Sequence, residues 1–196
     1  VDPATEFRGD RFIFTGQLLF KHPWRYMVSA NYNGLDAPQD GKKFSFLDWN
    51  LDIPVGKKGG WITVGKQKEG VGYEYAAPGS QLFFTERGSG VPALVKQRNI
   101  GIRYSNSVLK QRLMYTVGAY NNYWETGKSF SVNGSQFVAR VVYLPQYKSD
   151  RQLLHLGVGY RYTDATESQL SYKGKPEANT APYFFNTGSF AASSAN

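Results

Sequence analysis

The chain has 196 residues, one domain's worth, with 23 Lys and Arg against 15 Asp and Glu, a net charge of +8 and no cysteine. A hydrophobic share of 41% with only 19% charged residues excludes a disordered polyelectrolyte. A mean hydropathy of −0.47 excludes a helical membrane protein, and the missing thiols exclude disulfide frameworks, thiolate metal sites and cysteine nucleophiles.

The opening segment Val1–Phe7 has neither the basic nor the apolar region of a signal peptide, and it matches no element that follows. It is expected to be either a remnant of an expression vector or native sequence, which puts the domain at residues 8–196. Period two then dominates. Phe12, Phe14, Gly16, Leu18 and Phe20 alternate with Arg11, Ile13, Thr15, Gln17 and Leu19. Trp24, Tyr26, Val28, Ala30 and Tyr32 alternate with Arg25, Met27, Ser29, Asn31 and Asn33, as in a half-buried strand. Leu47, Trp49, Leu51 and Ile53 stand against Phe46, Asp48, Asn50 and Asp52, and a weaker stretch runs from Trp61 to Lys68.

Ile100, Ile102 and Tyr104 oppose Asn99, Gly101 and Arg103, while Leu113, Tyr115, Val117 and Ala119 oppose Arg112, Met114, Thr116 and Gly118. Phe137, Ala139, Val141 and Tyr143 oppose Gln136 and Arg140. Leu154, Leu156, Val158, Tyr160 and Tyr162 oppose His155, Gly157, Gly159 and Arg161. The sum is about eight strands of roughly ten residues each.

The connections alternate in length. His22-Pro23, Val55–Gly60, Ser105–Leu109 and Pro145–Asp150 are short, whereas Gly34–Lys42, Glu69–Gln97 and Tyr120–Gly134 are long. In an up-and-down antiparallel sheet, successive connections lie at opposite ends, so every tight turn falls on one rim and every long loop on the other. A sandwich with Greek-key crossings has no reason to sort its loops this way.

The two rows of each strand differ in chemistry. The apolar row carries aromatics near its ends, as a strand does between two lipid-facing aromatic girdles. Arg11, Arg25, Arg103, Arg112, Arg140 and Arg161 all fall on the opposite parity, each on a different strand. A soluble sandwich would make that basic row its solvated surface, whereas a barrel makes it a lumen. The girdled apolar row favours the barrel, because a sandwich core places large aromatics mid-strand.

Signals for catalysis are weak. His22 and His155 are too few for the usual histidine metal clusters, and neither is spaced with a serine and carboxylate as a triad. Gly60 to Gln67 comes within one residue of a phosphate-binding loop, but Gln67 replaces the hydroxyl that holds magnesium, and Trp-Ile-Thr-Val forms strand. Asp48, Asn50 and Asp52 share a face that reads more simply as a solvated polar row than as a cation site. No cofactor or metal is therefore expected. Nucleic-acid binding would put stacking aromatics on the basic face, and here they lie on the other one.

The chain resembles the phosphate-selective porin O/P family through several short pieces in order. They are Ile62-Thr63-Val64-Gly65-Lys66-Gln67-Lys68-Glu69, Phe83-Phe84-Thr85-Glu86-Arg87, Arg98-Asn99-Ile100-Gly101-Ile102-Arg103 and Ala139-Arg140-Val141-Val142-Tyr143-Leu144-Pro145. Further along come His155-Leu156-Gly157-Val158-Gly159-Tyr160-Arg161-Tyr162 and Lys175-Pro176-Glu177. The resemblance implies a transmembrane barrel of about sixteen strands, of which this chain covers about eight. It also implies a homotrimer in the outer membrane of a Gram-negative bacterium, embedded in lipid and passing small phosphate-like anions.

The expected fold is thus all-β, an antiparallel up-and-down transmembrane barrel. The expected function is passive uptake of anions, phosphate or polyphosphate, through a lumen lined by the row arginines. Tyr73, Tyr75, Leu82, Phe83 and Phe84 make the long connection Glu69–Gln97 too apolar for a solvated tip, so it is expected to fold inward and narrow the pore. Arg87, Lys96 and Arg98, with Lys66 and Lys68, are the candidate cations of that constriction. The alternative is a soluble basic β-sandwich that binds carbohydrate or an anionic ligand, and it would purify without detergent.

Overall fold

The computed structural model describes residues 10–32, 44–56, 59–77, 82, 87–88, 90, 94, 98–121, 135–149, 152–163, 169–174 and 182–191. The segment Val1–Phe7, Phe83-Phe84-Thr85-Glu86, Lys96, Lys175-Pro176-Glu177, the expected loop Gly34–Lys42 and most of Tyr120–Gly134 lie outside the described residues.

The alternating segments become strands β1 (Asp10–Leu18), β2 (Trp24–Tyr32), β3 (Phe44–Pro54), β4 (Trp61–Gln67), β5 (Asn99–Val108), β6 (Leu113–Asn121), β7 (Ser135–Ser149) and β8 (Gln152–Thr163). They pair in chain order as one 8-stranded antiparallel sheet, open between β1 and β8. A separate hairpin, β9 (Gln169–Gly174) with β10 (Phe185–Ala191), occupies sequence that alternation left unassigned.

Because antiparallel partners point to the same side, the register fixes two faces. Phe14 stands opposite Val28 and Val28 opposite Trp49; Leu51 then meets Val64, Val64 meets Ile102, and Ile102 meets Ala119. That outer row continues through Phe137 and Tyr162. The inner row runs from Arg25 and Asp52 through Thr63 and Arg103 to Gly118, and on to Val138 and Arg161.

The two faces invert the usual order of a water-soluble fold. On the outer row Trp49 is 62% exposed, Ile102 57% and Val158 70%, whereas Thr63, Gln67, Asn99 and Gln136 on the inner row are buried to 2% or less. A sandwich would cover the apolar row with a second sheet. Here the polar row is covered instead along β4 to β7, while its ends on β1, β2 and β8, Arg11, Arg25 and His155 among them, stay exposed.

Outer-row aromatics stand at both ends of the sheet, with Phe14 and Trp49 between them. Near the tight turns, Phe20 packs edge-on to Trp24, and Tyr104 lies beside Tyr115 with Asn106 donating to both hydroxyl oxygens. Near the other end, Phe44 packs edge-on to Phe46. These are the places where amphipathic rings meet a membrane–water boundary.

The structure shifts some expected boundaries. β5 runs on to Val108, so the turn falls at residues 109–112, where Leu109, Lys110 and Gln111 all take positive φ. β7 continues through Pro145 to Ser149, and Pro145 sits where the register with β8 shifts. A residue without an N–H is tolerated in a strand at such a break. A second irregularity falls between Val28 and Ala30, where Phe46 pairs with Ala30 on the outer face although its parity set it with Asp48. No helix among the described residues is long and apolar enough to cross a membrane, which says nothing about strands.

Candidate functional site

The middle of the polar row is covered by the chain's own connection. After β4 the backbone turns over the inner face, and residues 69–77, with the single helical turn α1 (Tyr73–Ala76), form a strap across it. The strap reaches β8, whose inner row holds His155, Gly157, Gly159 and Arg161. Glu69 Oε2 accepts from Arg161 Nε at 2.8 Å, and the Tyr73 ring packs against His155 with centroids 5.4 Å apart.

A buried amide network anchors the start of the strap. Asn99 Nδ2 donates to Glu69 Oε1 and to Gln136 Oε1, both at 3.1 Å, and Arg161 Nη2 donates to the same Gln136 oxygen at 3.0 Å. The Glu69 carboxylate is fully buried, and these donors replace the water it has lost. Gln67 Nε2 donates to the Thr63 and Gly101 carbonyls, and the Tyr120 ring covers Gly118, where a side chain would collide with it.

The strap also gathers cations. Lys68 Nζ and Arg87 Nη2 both donate to the Ala77 carbonyl at 3.2 Å, and Arg87 Nε donates to the Glu74 carbonyl at 2.8 Å. The Glu74 carboxylate accepts from the Gly88 N–H, and the Arg87 guanidinium lies 5.7 Å from the centre of the Tyr75 ring. Lys68, beyond the end of β4, is pushed below the ordinary lysine value of 10.5, first by burial and then by Arg87 and Arg98. Arg11 adds to that push, and Asp48 opposes it. Burial is the larger cause, and the repulsion of the neighbouring guanidinium groups adds to it.

The predicted cations fall into distinct settings. Arg98 Nε is paired with Asp48 at 2.9 Å, and Asp48 also accepts from Ser29, so this cation is neutralised on the wall, as Arg161 is by Glu69. Arg103 donates to the Lys68 carbonyl at 3.3 Å and to Thr63 Oγ1 at 3.2 Å, while its Nε is buried without a hydrogen bond. Arg25 stands opposite Asp52 with its guanidinium 3.9 Å from the centre of the Trp61 ring, and Arg11 stands opposite Asn31. Arg140 is opposite Gly159, next to the strap's landing strip.

Two candidates lie elsewhere. Arg112 belongs to the exposed turn before β6 rather than to its wall. Lys66 is on the outer face, opposite Trp49 and Ile100, with its ammonium donating to the Phe46 carbonyl at 2.6 Å. Glu69, Asn99 and Gln136 were not among the predicted site residues. Asn99 and Gln136 sat on the polar parity, which is the signal that could have found them.

An antiparallel meander with an exposed, girdled apolar face and a polar face covered in its middle by the chain's own connection is the wall of an outer-membrane β-barrel. The chain belongs to the family described as phosphate-selective porin O and P, whose sequence model matches residues 2–194. That family is one of channels rather than enzymes. No curated protein and no solved structure matches the chain.

Proposed function

We propose that this wall belongs to a water-filled channel of a Gram-negative outer membrane through which small anions, phosphate or polyphosphate among them, move passively, with the assembled pore a homotrimer. The observation that supports this reading is the convergence of Lys68 and Arg87 on the Ala77 carbonyl, on a strap laid over the inner face. A carbonyl dipole orients the two cations without cancelling their charge. Arg103, Arg140, Arg11 and Arg25 continue the positive row along the wall. Guanidinium forks match phosphate oxygens, and a succession of weak sites passes an anion on without trapping it.

Screening over about 8 Å at physiological salt confines the field of each charge to its neighbourhood. Discrimination therefore rests on the strap, which brings its cations off the wall to where an ion passes. Phosphate competition tests this. Inorganic phosphate added to a chloride-conducting pore should reduce the current, and Lys68→Gln should raise the half-blocking concentration. Current indifferent to phosphate would leave a general anion pore.

A further inference from the structure

The inner row of β8 carries two glycines side by side at period two, Gly157 and Gly159, flanked by His155 and Arg161. Glycine inside a strand weakens it, and its usual reason is the close approach of another backbone. That backbone is the strap. Along its length Glu69 meets Arg161, the Val71 carbonyl lies where a Cβ of residue 159 would have to go, and Tyr73 meets His155. The strap thus runs down the same row in reverse order, with its backbone over Gly159 alone and its side chains gripped at either end.

We infer that this row is a seat: Gly159, with the Glu69–Arg161 pair, consists of positioning residues that set how close the strap lies to the wall and hence how wide the pore is. The inference rests on the channel reading and adds to it the residues that fix the bore. Lys68 adjoins Glu69, and Arg87 is bonded to the Glu74 and Ala77 carbonyls, so the strap cations are placed by the same seat.

The two glycines are not equivalent, which supplies an internal control. A Cβ at Gly159 would strike the Val71 carbonyl, whereas one at Gly157 would meet the exposed His155 ring at 3.3 Å and a Val142 methyl at 3.6 Å, with no strap atom among its nearest neighbours. Neither glycine takes a positive φ, so a valine suits the strand backbone at both.

Single-channel recording of the full-length protein in planar bilayers tests the seat. Gly159→Val should unseat the strap and raise conductance about twofold, because the Val71 backbone has to move off the wall to admit a Cβ. Gly157→Val should leave conductance at the wild-type value. Equal conductance for all three proteins would overturn the seat while leaving the channel intact, and no conducting steps from the wild type would overturn both readings.

A second variant covers the case in which Gly159→Val fails to fold. The chain has no cysteine, so Tyr73→Cys with His155→Cys, both at exposed positions, offers one possible disulfide. Oxidation should hold conductance at the wild-type value and reduction should raise it. A pair that does not oxidise, or a conductance indifferent to reduction, would contradict the seat.

Discussion

Glu69 and Arg161 lie 92 positions apart in the chain, yet the buried carboxylate of one accepts the Nε of the other at 2.8 Å, tying the segment after β4 to the far edge of the sheet. The pair turns a long connection into part of the wall. Removing one partner leaves a charge without its complement in a place water does not reach, which costs about 3–5 kcal/mol for fully buried pairs. Arg161 keeps some exposure, so Glu69→Gln should destabilise by about 3 kcal/mol, the low end of that range. Denaturant unfolding of vesicle-inserted protein measures it, and a double-mutant cycle with Arg161→Met should show coupling.

The outer face carries its own prediction. Ile102 is exposed at mid-strand in the apolar row, and Thr116 is on the inner row of the adjacent strand. Ile102→Arg should therefore cost about 2–4 kcal/mol on insertion into lipid, as a cation at the bilayer midplane does. Thr116→Arg should cost much less. Equal costs would mean that the two faces are assigned wrongly, and folding equilibria in vesicles read both.

Lys68 should confer a pH dependence. Its ammonium is disfavoured by burial and by Arg87 and Arg98, so it loses its proton below the ordinary lysine value of 10.5. Charge is present below that lowered value and absent above it, and anion preference should accordingly weaken as pH rises through it. Lys68→Arg keeps the charge and should flatten the profile. Reversal potentials recorded across a pH series in both proteins show the step or its absence.

At the aromatic end of the outer face, Asn106 donates to the hydroxyl oxygens of Tyr104 and Tyr115, and the Tyr104 hydroxyl donates to the Gly59 carbonyl. Asn106→Ala should cost about 1 kcal/mol, the ordinary worth of such hydrogen bonds, with conductance unchanged because the residue faces outward. Thermal unfolding beside single-channel recording separates the two effects.

Alternation made most strands legible because one face is apolar throughout, and a slip of one residue would turn that whole row over. Lys66 was harder to place. It was set among the cations of the constriction, but it ends the apolar row of Ile62 and Val64, where a lysine stem lies along apolar surface while its ammonium finds the Phe46 carbonyl. Phe46 was set on the wrong face by the irregularity opposite Val28 and Ala30, which parity cannot reveal.

Val138 and Val142 on the inner row look out of place in a polar wall, and both are buried. Glu69, Asn99 and Gln136 escaped notice because each is unremarkable locally. Their meaning lies in contacts between distant parts of the chain.

Anion preference is the property proposed for this pore. Reversal potential in a potassium chloride gradient, recorded from the full-length protein in a planar bilayer, tests it most directly. An anion-preferring pore gives a potential of the sign set by chloride, shifted toward the potassium side by Arg103→Glu and Arg140→Glu. A wild-type potential of the sign set by potassium would contradict it.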